Sequence, residues 1–189
     1  MILVIVLGAA IYFADRQNWI DVPGIGSDSG RDLSRRNAPA NAVTIFSGRA
    51  SELRAAPGNR VDVDPSDSTV AWIRSTVKSA SPGGETDGVA VPVPSSVWSG
   101  ITANRIRVTV SAKGGGGEPN PFALTYSTGS TQNSGWLVFE PTSAFKDYSF
   151  VFAVPPASRG TTHYVGIWSD ITGRSTPLAL RRVEIAPLP

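Results

Sequence analysis

Asn104-Arg105-Ile106-Arg107-Val108-Thr109-Val110-Ser111-Ala112-Lys113 sets apolar residues on one parity against Arg105, Arg107 and Thr109 on the other. A period of two marks a strand with one face buried and the other in water. The same reading applies to Phe122-Leu124-Tyr126 and to Phe150-Phe152-Val154. Three alternating strands of this kind need partners on both sides of a shared core, so the chain is expected to build layered sheets.

Working outward, strand-like stretches recur from Ala42 to the end: Val43–Ser47, Arg60–Asp64, Thr69–Ser75, Gly88–Val93, Asn104–Lys113, Phe122–Thr128, Trp136–Glu140, Tyr148–Val154, His163–Ser169 and Leu178–Ile185. Between them lie turn compositions such as Gly114-Gly115-Gly116-Gly117, Ser127-Thr128-Gly129-Ser130, Pro155-Pro156 and Ile171-Thr172-Gly173-Arg174. No strand-helix-strand alternation is visible, which argues against a parallel sheet. The expected fold is all-β, an antiparallel sandwich over 42–189. The 19 glycines, 15 prolines and 17% charged residues suit short strands and many turns.

The amino-terminal region reads differently. Met1 to Phe13 is apolar apart from the ring hydroxyl of Tyr12, with Ile2, Leu3, Val4, Ile5, Val6, Leu7, Ile11, Tyr12 and Phe13 as membrane-seeking residues and Trp19 placed for a headgroup region. Residues 1–20 are therefore expected to form one transmembrane helix. No Lys or Arg precedes the run and no small-x-small cleavage pattern follows it, so a retained anchor is expected in place of a signal peptide. Residues 21–41 form a polar linker with almost nothing to bury.

The order of strands resembles the galactose-binding-like jelly roll of many carbohydrate-binding modules, over about residues 42–187. The residues that carry the resemblance are Ile45-Phe46-Ser47-Gly48, Arg105 to Val110, Phe122 to Ser127, Gly135-Trp136, Phe150 to Pro155, Tyr164-Val165-Gly166-Ile167-Trp168 and Arg182-Val183-Glu184-Ile185. Domains of that family bind sugars, adhere, accompany enzymes or act as scaffolds, so the fold leaves the ligand open. A sugar site of this kind implies exposed aromatic rings stacked on a pyranose with polar groups beside them, for which Trp98, Tyr126 and Trp136 with Asn133 are the candidates. Trp72 and Trp168 lie inside strand-like runs and are expected in the core or on a sheet face.

Other chemistry finds little support. The chain has no cysteine and one histidine, His163, which no nucleophile motif accompanies. The tetraglycine lacks the Lys-Ser/Thr of a phosphate loop and is expected to be a flexible hairpin connection. Asp62, Asp64 and Asp67 offer alternating carboxylates that suit a structural calcium ion, the one cofactor the sequence suggests. Lysines and arginines are scattered and the net charge is +2, which does not suit nucleic-acid binding.

The expected function is thus non-enzymatic. The main expectation is an accessory subunit of a larger membrane complex, respiratory or photosynthetic by analogy, with its anchor in the lipid bilayer, its linker on membrane protein subunits and its β domain in the periplasm. The alternative is a membrane-anchored carbohydrate-binding module at the cell envelope.

Overall fold

The computed structural model describes residues 41–75, 88–99, 104–116, 120–129, 132–155 and 162–189. The chain divides into two compact units, Met1–Leu33 and Ser34–Pro189, and every described residue belongs to the second. The expected anchor and most of the linker fall outside the described residues. Among the described residues no helix is long and apolar enough to cross a membrane.

Among the described residues eleven strands follow one another: β1 (Val43–Phe46), β2 (Arg54–Ala55), β3 (Asn59–Val63), β4 (Ala71–Ser75), β5 (Val89–Val93), β6 (Arg105–Gly114), β7 (Phe122–Ser127), β8 (Leu137–Phe139), β9 (Lys146–Ala153), β10 (His163–Trp168) and β11 (Leu178–Leu188). Ten match the strands expected from the sequence to within a few residues. The exception, β2, is a two-residue edge pairing that carries no periodicity.

The strands form two antiparallel sheets. One runs β3-β4-β11-β6-β9, with β1 also on β11; the other runs β2-β5-β10-β7-β8. The long β11 pairs with β6 along almost its whole length, while its other edge is shared between β4, from Leu178 to Leu180, and β1, from Val183 to Ile185. A register shift between Leu180 and Arg182 separates the two halves, as a bulge that adds one residue and bends the strand.

The core lies between the sheets. Ile73, Ile106, Val108, Val110, Phe150, Phe152, Leu178, Leu180, Val183 and Ile185 come from the first sheet, and Val89, Val91, Phe122, Leu124, Tyr126, Val165 and Ile167 from the second. The inward parity of β6 and β9 is the one their alternation predicts.

Two expectations are corrected. The glycine run does not close a hairpin, because β6 and β7 belong to different sheets; it begins a crossing from one layer to the other. Its second glycine is packed, since a Cβ on Gly115 would lie 2.3 Å from Trp72 Cζ3 and 2.9 Å from Pro177 Cγ. The other correction concerns β7, which alternates in sequence yet is buried at all six positions. Its outward side, like that of β10, is covered by protein.

Candidate sugar-binding face

The cover over β7 is built by the segment leading into β8. Asn133 bridges to Ser127, and its Oδ1 accepts the Gly135 N–H at 2.9 Å, closing a tight turn. Gly135 has φ +70°, which favours glycine at this turn. Ser134 then locks onto β7: its N–H donates to the Tyr126 carbonyl at 2.9 Å, and its Oγ accepts the Tyr126 N–H at 2.9 Å. The next residue, Trp136, is thereby aimed back across the outward face of the second sheet.

That face lets the indole in because it lacks side chains where the ring lies. A Cβ on Gly166, in β10, would meet Thr125 Cγ2 at 2.6 Å and Trp136 Cη2 at 3.2 Å; one on Gly88 would reach Trp136 Cη2 at 3.5 Å. Trp136 therefore extends from the edge of the sheet over β7 to the middle strand. There it meets Trp168 edge to face, with ring centroids 6.0 Å apart and planes at 71°. By strand parity Tyr164 shares this face and Thr125 and Ser127 flank it, across from Val165, Ile167, Leu124 and Tyr126 in the core.

Trp168 carries the chemical signal of the face. Its Nε1 is buried and has no hydrogen-bond partner in the structure. A buried donor left unsatisfied costs about 1–3 kcal/mol. The strand end that bears it is firmly held. Ser169 Oγ accepts the Ser75 N–H at 2.8 Å. The fully buried Asp170 accepts Thr172 N–H at 2.8 Å, Thr172 hydroxyl at 2.7 Å, Gly173 N–H at 3.1 Å and Thr176 N–H at 2.9 Å. Burial pushes the Asp170 pKa up, but these donors outweigh it and hold the carboxyl below its ordinary value.

The residues singled out from the sequence separate on inspection. Trp136 lies on this face, half-buried. Tyr126 does not: it is 0% exposed in the core, where its hydroxyl and His163 Nδ1 share a 2.8 Å hydrogen bond and burial raises its pKa. Its parity in β7 points it inward, so the expected exposed ring is a core ring. Trp98 ends a single helical turn, Ser95–Trp98, and stacks on the buried His163 at 4.3 Å and 16°, sealing that end of the core. Asn133 shapes the turn. Trp168 stands on a sheet face, one of the two places the sequence allows it, while Gly166 and Tyr164 are residues the sequence candidates do not include. A glycine among large residues of both parities, Tyr164-Val165-Gly166-Ile167-Trp168, was the available sign of a strand covered on both faces and approached closely.

The three aspartates stand at the other sheet, Asp62 in β3 and Asp64 and Asp67 in the turn from β3 to β4. Asp62 pairs with Arg60 at 2.8 Å. Asp64 accepts the Ser66 hydroxyl at 2.6 Å, the Ser66 N–H at 2.8 Å, the Trp72 indole N–H at 2.8 Å and the Asp67 N–H at 3.2 Å, bonds that hold its pKa down to about 2. Asp67 caps Thr69, whose hydroxyl and backbone N–H lower its pKa. Among the described residues no group of three or more His, Asp or Glu side chains converges to hold a metal ion.

No protein-family model matches the chain, and no curated protein matches it in sequence. Solved structures do resemble it. The CBM22-1 xylan-binding domain of Paenibacillus barcinonensis Xyn10C superposes with a TM-score of 0.52 at 13% identity, covering 77% of this chain and 92% of that one. The tandem CBM22-1-CBM22-2 domain of the same protein gives 0.53 at 14%, covering 80% and 48%. The C-terminal family 22 carbohydrate binding module of Clostridium thermocellum Xyn10B gives 0.50 at 12%, covering 80% and 96%. At these identities the likeness is one of fold: the chain carries a β-sandwich similar to those of carbohydrate-binding modules.

Proposed function

We propose that the β-sandwich is a non-catalytic carbohydrate-binding module, which holds a polysaccharide chain against the outward face of its second sheet. The observation that carries the reading is the Trp136–Trp168 pair set on that face, with both rings half-buried. Indole faces stack on the apolar side of a pyranose, and an indole N–H donates to a ring hydroxyl. The fold neighbours, one of them a xylan-binding domain, support the alternative raised from the sequence. The main expectation, a subunit of a membrane complex, has no observation behind it among the described residues. With the anchor expected at residues 1–20, such a module would be displayed at a membrane surface.

Calorimetric titration of the full-length chain with soluble xylan and other neutral β-linked polysaccharides tests this. Trp136→Ala and Trp168→Ala are each expected to weaken binding about ten-fold or more, as loss of a stacking ring does. Trp168→Phe, which keeps a ring and removes the donor, should lose less. Retained affinity in both alanine variants would overturn the assignment.

A further inference from the structure

The outward face of the first sheet holds a recess of about 360 Å³, within the range of pockets that take small ligands. Asp62, Trp72, Arg74, Gly115 and Pro177 line it. Trp72 forms a fixed wall. Its indole N–H is tied to Asp64, and its ring edge lies against Gly115, where any side chain would collide with it. Pro177 on the far side is set by Asp170, which fastens the neighbouring Thr176.

Arg74 is the unusual member. It stands directly opposite Arg60 in the β3–β4 ladder, a like-charge juxtaposition that costs stability. Arg60 is neutralised by Asp62, whereas Arg74 has no ion-pair partner among the described residues. Two further cations gather nearby: Lys113 lies 5.7 Å from the Trp72 ring centre and 4.9 Å from that of Phe145, and Arg181 stacks 3.8 Å over Phe145.

We infer that this recess is a second ligand site, one that takes a sugar ring bearing a carboxylate, such as a uronic acid unit of a polysaccharide. Trp72 supplies the surface for the ring, the Arg74 guanidinium a two-pronged donor for the carboxylate, and Lys113 and Arg181 the attraction that draws an anion in. Asp62 and Asp64 beside the recess limit the local positive charge. That balance suits one carboxylate per ring better than a string of phosphates. The inference is independent of the neutral-chain site on the opposite sheet, since the two share no residue.

The test is calorimetric titration of the full-length chain with a galacturonate oligosaccharide and, separately, with a neutral xylo-oligosaccharide. Saturable galacturonate binding is expected, with Arg74→Ala and Arg74→Gln each weakening it about ten-fold or more, since a charge-assisted contact is lost. Arg74 is exposed, so both variants should fold, and thermal unfolding checks that they do. Arg105→Ala removes the same charge eight residues along β6 from Lys113, roughly 26 Å at 3.3 Å per residue, and should change affinity less than about two-fold. Trp168→Ala should leave galacturonate binding unchanged. The inference is overturned by absence of saturable galacturonate binding, by Arg74 variants that bind like the parent, or by an Arg105→Ala loss equal to that of Arg74→Ala. Loss of neutral-sugar binding alone would bear on the other face only.

Discussion

β9 and β10 follow one another in the chain and are opposite in burial. β9 buries Tyr148, Phe150 and Phe152 and exposes Ser149, Val151 and Ala153. β10 buries five of its six residues and leaves only Trp168 partly open. Both strands send one parity into the same core, so the difference lies wholly in what stands on the far side. For β9 that is water; for β10 it is the indole of Trp136, with Tyr164 and Trp168 beneath. An outward face that is apolar, glycine-lined and roofed by tryptophan is what sets β10 apart from β9. The outward face of the first sheet is instead laced with charge: Arg60 on Asp62, and Arg182 reaching Asp147 at 3.3 Å and Glu184 at 3.4 Å.

The sharpest break of this comparison is within β9 itself. Phe152→Ala should cost about 3–5 kcal/mol, because a core ring is lost and a cavity remains beside Tyr126. Val151→Ala, one residue away and 42% exposed, should stay within about 0.5 kcal/mol. Denaturant unfolding of both variants decides it; similar losses would mean that β9 is covered on both sides too.

A smaller effect is expected in β10, at the position with no side chain. Gly166→Ala drives a methyl into Thr125 and against Trp136, and should cost about 1–3 kcal/mol through overpacking. Because Trp136 must lift to make room, polysaccharide affinity should fall with it. Unchanged affinity in a destabilised variant would show that Trp136 is only a roof.

The mildest test sets the two faces against acid. Asp64 has a pKa of about 2 in the folded chain against an ordinary value of 3.8, so its contribution to stability is complete above about pH 4 and is lost as pH falls through 2. The indole proton resonance of Trp72, which Asp64 accepts, should move with that midpoint, while that of Trp168, which meets no carboxylate, should not. A Trp72 midpoint near 4 would show that the carboxylate is not held.

Periodicity explains how far the sequence could be read. Ten strands are legible as apolar or alternating runs between turn compositions, and the inward parity of β6 and β9 because each of those two alternates against water on one side. Tyr126, named as a candidate ring, shares one parity with Phe122 and Leu124, and the structure buries it on that parity with its hydroxyl on His163. Asp62, Asp64 and Asp67 suggest a cation site because carboxylates two and three apart suit either an ion or a turn. The turn's own N–H groups occupy Asp64 and Asp67 here.

What the sequence determined by itself was the all-β class, the strand inventory and the poverty of nucleophiles and thiols, since these rest on local pattern and composition. The tertiary structure alone decided which layer each strand joins, that the glycine run begins a crossing between layers, and that Trp136 and Trp168 meet although they stand thirty-two positions apart in the chain. Strand pairing is set by contacts between residues distant in sequence, whereas periodicity records only whether each residue faces water.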